Sequence, residues 1–210
     1  DFAPSVDSSS STFVQTSAIS NQLISTVTTY SPYDPVAQTF MVSKDNYPNG
    51  IFLKSVKLFF ASKATTTSTV TVSVLPTING YPGGTELQYS KVTLTPDKVQ
   101  VSSTPHYLDP TSYTEFVFQA PVYIQPGVLY AIKVKSNSSD YTLYYAQQNQ
   151  TAIASTAKTN PTDANPANPT KIGAAPYIGA LFESQNSITW TADQSKDLMF
   201  VIDKCVFSQT

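Results

Sequence analysis

A chain of 210 residues is long enough to enclose a hydrophobic core unaided, and its single cysteine, Cys205, excludes an internal disulfide framework. All 12 basic residues are lysines, scattered singly against 14 acidic residues, for a net charge of -2. That balance speaks against nucleic acid as a partner, because phosphates are held by clustered Lys and Arg, with arginine forking onto the oxygens.

With charged residues at only 12%, the surface must be covered by Ser, Thr, Asn, Gln and Tyr, a composition closer to adhesins and extracellular β-proteins than to cytosolic enzymes. No stretch approaches the roughly 18 apolar residues of a membrane span, so none is expected. The N-terminus lacks the basic start and apolar middle of a signal peptide. A chain beginning with Asp1 rather than Met reads as a fragment or processed product of something longer.

Residues 1–35 carry a serine run, Ser8 to Ser11, and scattered apolar residues at Phe13, Val14, Ile19, Leu23 and Ile24. They read as an N-terminal linker or docking arm, with simple disorder as the alternative. From Val36 to Phe207 the pattern becomes period-two alternation, which sends successive side chains to opposite faces of a strand. Val70, Val72 and Val74 alternate with Thr69, Thr71 and Ser73. Comparable faces are expected at Phe52, Val56, Leu58 and Phe60, at Val92 and Leu94, at Phe116 and Phe118, and at Val122 and Ile124. Val128, Tyr130, Ile132 and Val134 form another, as do Tyr141, Leu143 and Tyr145, then Ile188 and Trp190. The run Leu198 to Phe207, apolar on both faces except at Asp203 and Lys204, predicts a central or covered strand.

Asn49-Gly50, Asn79-Gly80, Pro82-Gly83-Gly84, Pro96-Asp97, Pro105, Asp109-Pro110 and Pro126-Gly127 fall between these runs. Glycine supplies positive backbone angles and proline presets the first turn position, so these are hairpins and corners. No helix of ten residues or more is expected. Many short strands so spaced predict an all-β domain over 36–207, an antiparallel two-sheet β-sandwich, jelly-roll-like. One interruption, a long Ala/Thr/Asn/Pro-rich loop over 146–176, is either a partner-facing element or a mobile insertion without a task.

Catalysis finds little support. A triad could be drawn from His106, Asp109 and a serine, but nothing resembles a nucleophile elbow, and a lone loop histidine is ordinarily a surface residue. Asp193 and Asp197 could contribute to a calcium site, yet the spacing DQSKD lacks the glycine-bearing loop of a calcium motif, and a solvated loop is the simpler reading. No catalytic, cofactor or metal residue is therefore assigned. Asn137-Ser138-Ser139 and Asn149-Gln150-Thr151 match the N-glycosylation pattern, as chance predicts in a chain this rich in Asn, Ser and Thr. Tyrosines gather at turns and strand ends, namely Tyr30, Tyr33, Tyr47, Tyr81, Tyr89, Tyr107 and Tyr177. A flat ring with a polar tip can stack on a sugar or anchor a protein contact, and Tyr81 and Tyr177 are the candidate glycan or interface residues. Trp190 is expected in the core.

Five segments, taken together and in order, carry a resemblance: DPVAQTF (34–40), GIFLKSVKLFFASK (50–63), VTVSVLPTINGYPGG (70–84), PVYIQPGVLYAIKVKSNS (121–138) and PYIGALFESQNSITWTADQSKDLMFVIDKCVF (176–207). They resemble a β-module of virion structural proteins, the tail-fibre or baseplate-associated proteins of contractile-tailed phages, notably marine cyanophages. The resemblance implies a scaffold located in the virion tail, in contact with other phage tail proteins. Because fibres and baseplates are symmetric, it also implies a homotrimer. The same segments look like jelly-roll modules of bacterial surface proteins, which implies a sandwich similar to carbohydrate-binding modules and a host-surface glycan as ligand. Neither likeness brings a catalytic residue. A hydrolase acting on capsule or cell wall is the third expectation, and it would require paired carboxylates in a cleft.

Overall fold

The computed structural model describes residues 6–7, 12–13, 27–29, 34–65, 67–148, 150, 179–185 and 188–207. In chain order the strands are β1 (Val6–Asp7), β2 (Thr12–Phe13), β3 (Val27–Thr29), β4 (Val36–Met41), β5 (Ile51–Leu58), β6 (Phe60–Ser62), β7 (Val70–Ile78), β8 (Tyr81–Pro82) and β9 (Val92–Leu94). They continue as β10 (Thr114–Ile124), β11 (Leu129–Ser136), β12 (Thr142–Gln147), β13 (Leu181–Glu183), β14 (Thr191–Asp193), β15 (Lys196–Leu198), β16 (Phe200–Lys204) and β17 (Val206–Phe207). Among the described residues the only helical element is a 3-10 turn at Pro96–Lys98. The protein is thus all-β, and the strands are joined into several antiparallel sheets in a sandwich-like arrangement.

The largest sheet runs β14-β13-β4-β11-β7-β8, with β9 also on β7. A second runs β10-β5-β16-β2, and a third runs β15-β12-β3 with β6 beside β12. The second and third are continuous through a fork. β5 and β16 pair up to Leu58 and Phe200, and then separate at Phe59 and Met199. β12 enters the gap: the Tyr144 N–H donates to the Phe59 carbonyl at 3.0 Å, and the Met199 N–H donates to the Tyr144 carbonyl at 2.9 Å. These bonds satisfy the Phe59 carbonyl, both backbone groups of Tyr144 and the Met199 N–H at the split, which helps the fork to be buried.

The inward faces meet in one core. Val70, Val72 and Val74 of β7 and Ile132 of β11 pack with Leu53, Val56 and Leu58 of β5, Phe116 and Ile124 of β10, and Ile202 of β16. Each such side chain contributes about 1.5–3 kcal/mol when fully buried. The described pieces of the N-terminal arm, β1, β2 and β3, pair with β17, β16 and β12 respectively.

Several expectations are corrected. Phe52 does not share the buried face of Val56 and Leu58; it is 41% exposed. The cause is a bulge: Ser55 opposes Asp203 and Leu53 opposes Lys204, so Lys54 is an extra residue and the inward parity switches. Ile188 is also exposed, because the strand begins only at Thr191, after Trp190. Ala146 and Gln147 belong to β12 and not to the long loop, whose residues 151–176 lie outside the described ones. The terminal run is three strands, interrupted at Met199 and Cys205, although β16 is central as expected, between β5 and β2.

The Asn49-Gly50 turn has a steric reason for its glycine. Gly50 sits at φ +75°, and a Cβ there would collide with the Ile124 carbonyl and the Tyr123 ring. Gly50→Ala is expected to lower stability by about 1–3 kcal/mol in urea denaturation, the usual range for a forced left-handed residue.

Candidate functional site

The His106 loop is a structural cover. The Ser112 hydroxyl donates to the His106 carbonyl at 2.6 Å and accepts the His106 N–H at 2.9 Å. His106 Nδ1 accepts the Leu108 N–H at 3.2 Å, and Asp109 Oδ1 accepts both the N–H and the hydroxyl of Thr111. Those Thr111 bonds hold the Asp109 carboxyl below its ordinary range. The two named members of the conceivable triad, His106 and Asp109, both take part in turn hydrogen bonds. Tyr107 and Tyr113 pack on Phe59, Tyr144, Met199 and Val201, the side chains on the outer surface of the fork. Tyr144 ties the cover down through a hydrogen bond to the Ser102 carbonyl at 2.9 Å.

Asp193 and Asp197 part company. Asp193 closes the β14–β15 turn by accepting the Ser195 N–H and hydroxyl, and pairs with Lys196 at 3.0 Å. Asp197 does not lie in a solvated loop; it is only 3% exposed, because β15 carries it against β4. Gln38 of β4 donates to Asp197 Oδ1 at 2.8 Å and to the Thr39 carbonyl at 3.2 Å, while its own Oε1 accepts the Leu198 N–H at 2.7 Å. Burial pushes the Asp197 carboxyl up to about 7, opposed by the Gln38 bond and reinforced by the Asp193 charge. Among the described residues no group of three or more His, Cys, Asp or Glu side chains is placed to hold a metal.

Above this latch lies a cleft of about 230 Å³, on the outward face of the largest sheet. Its wall includes Thr39, Asn79, Tyr81, Gly179, Phe182 and Gln194. The Asn79-Gly80 pair builds one side: both residues take positive φ, 53° and 82°, and the flanking Ile78 and Tyr81 pair directly, giving the two-residue primed turn that Asn-Gly favours. That turn sets Tyr81 half-exposed at the rim, its ring 5.6 Å from the ring of Phe182 at an interplanar angle of 66°. Phe182 belongs to an outward apolar cluster with Ala37, Leu75 and Ala131, against which Trp190 packs while remaining partly exposed. Tyr177 and the tyrosines at 30 and 33 lie outside the described residues. Tyr47 packs on the core, and Tyr89 is exposed in a turn at φ 65°.

A feature that periodicity missed is an aromatic patch where β17 meets the outer face of the second sheet. Phe52, Tyr123 and Phe207 are 41%, 46% and 49% exposed. Their rings touch, with Phe52 5.2 Å from Tyr123 and 5.4 Å from Phe207. The parity switch at Lys54 is what turns Phe52 outward to join them. Comparison of the chain with protein-family models finds no match, and comparison with curated proteins finds none.

Proposed function

We propose that the chain is a non-catalytic scaffold domain of a bacteriophage virion, tail-fibre or baseplate-associated, in which a jelly-roll-like two-sheet sandwich binds other tail proteins and copies of itself. The observation that carries this reading is the Phe52–Tyr123–Phe207 patch. Aromatic side chains are the favoured anchors of protein interfaces, and three exposed rings joined through Phe52 offer a centre for one. The sequence resemblance supplies the setting, and a three-fold assembly is the proposed symmetry. Light scattering at high concentration tests it: self-association is expected for the wild-type chain and its loss for Phe52→Glu, with circular dichroism unchanged. A wild-type chain that stays monomeric, together with its absence from purified virions by mass spectrometry, overturns the proposal.

A glycan-binding adhesion module that recognises a host-surface polysaccharide is the second reading. The exposed ring of Tyr81, beside a largely apolar cleft with Asn79 and Gln194 among its lining residues, favours it.

A further inference from the structure

We infer that the cleft beside Tyr81 binds one neutral sugar ring of a polysaccharide, an inference that rests on the second reading above. Three features of the cleft define the ligand. The first is size: at about 230 Å³ it is smaller than the roughly 300–1,000 Å³ typical of small-molecule pockets, so it holds one ring while the rest of a chain lies outside. The second is chemistry, since the half-exposed Tyr81 ring offers a flat face for the apolar side of a sugar. Asn79 and Gln194, both exposed at the rim, add amides that can donate to and accept from hydroxyl groups.

The third feature is charge. Among the described residues, no Lys, Asp or Glu lines the cleft. The described strands and turn on one side, β13 to β15, carry Glu183, Asp193 and the buried Asp197 against the single Lys196, which pairs with Glu183 and Asp193. An acidic sugar entering there would meet the net negative charge of the described wall, so a neutral ring is favoured.

The walls are also set before a ligand arrives. The Asn79-Gly80 turn fixes Tyr81, and the edge contact with Phe182 restrains its ring. On the opposite side the Thr39 hydroxyl donates to the Ala180 carbonyl and accepts the Ala180 N–H, while Asp193 closes the turn that presents Gln194. Gly179 crosses the floor so closely that a Cβ would come within 2.7 Å of the Thr39 carbonyl and 3.0 Å of Gln38 Nε2. Such restraint lowers the ordering cost of binding.

The test is an array of neutral and of uronic- or sialic-acid-bearing oligosaccharides, probed with the whole chain and with Tyr81→Ala, Tyr81→Phe and Gln194→Ala, each checked for folding by circular dichroism. Neutral glycans are expected to bind the wild-type chain, with Tyr81→Phe close to it and Tyr81→Ala weaker by about tenfold. Gln194→Ala is expected to fall between. Neutral-glycan binding that survives both alanine changes overturns this site and leaves the adhesion reading standing. Preference for acidic glycans overturns the assigned ligand class. An array without signal removes site and adhesion reading together.

Discussion

Asp197→Asn is expected to raise the stability of the protein at pH 8 by about 4 kcal/mol and to flatten its dependence on pH. In the folded chain the carboxyl is pushed up to about 7, against an ordinary 3.8, because burial between β15 and β4 penalises the anion. The Gln38 amide lessens that penalty, whereas Asp193 on the same hairpin increases it. Lys196 and Glu183, the other charges of this corner, pair with one another at 3.8 Å, and Lys196 also holds Asp193. A carboxyl whose pKa is higher folded than unfolded takes up a proton on folding. Its contribution is therefore complete below pH 3.8 and is lost as pH rises to about 7. Each pKa unit is worth about 1.4 kcal/mol, so the interval amounts to about 4 kcal/mol. Asparagine keeps an oxygen for the Gln38 amide and has no charge to bury. Urea denaturation between pH 4 and pH 8 measures the effect; parallel stability curves for the two proteins would show that Asp197 titrates at its ordinary value.

The second large effect is expected at Lys57 and Asp203. These groups pair at 2.7 Å in the middle of the second sheet, with side chains 10% and 1% exposed. Asp203 also accepts a hydrogen bond from Ser55 at 3.3 Å, while the ammonium of Lys57 lies 4.8 Å from the centre of the Tyr113 ring. Burial alone would lower the Lys57 pKa, but the hydrogen bond and charge of Asp203 outweigh it and hold that pKa above its ordinary value. Asp203→Ala strands a buried cation and should cost about 3–5 kcal/mol. Lys57→Met with Asp203→Leu removes both charges and should recover most of that loss, since the desolvation penalty disappears with the attraction. A double-mutant cycle by denaturation measures the difference. Additive losses would mean that the two groups do not depend on one another.

The legible parts of the sequence were those governed by local rules. Val70, Val72 and Val74 announce β7 because alternation and burial coincide there, and Asn79-Gly80 announces its hairpin because few residues accept two successive positive φ angles. Tyr81 could be picked out as a candidate from its place after that turn. Its neighbours in the cleft could not: Phe182 of β13 and Gln194 of the β14–β15 turn lie about a hundred residues away, brought alongside by pairing of β13 with β4 and β14. Phe52 was misread for a different reason. Alternation assumes an unbroken register, and the extra residue at Lys54 reverses the faces of everything before it. Asp197 was misread because its burial depends on a partner 159 positions away, Gln38, which no spacing within DQSKD reveals.

The fork at Phe59 and Met199 bears on how the body comes apart. β5 with β6, and β15 with β16, are each a nearly unbroken length of chain shared by two sheets, and Tyr144 bonds both at the point of division. There is consequently no seam along which either of those sheets can peel away alone: opening one strips backbone partners from the other. The two melt as a unit, and a load applied to one is passed directly to its neighbour.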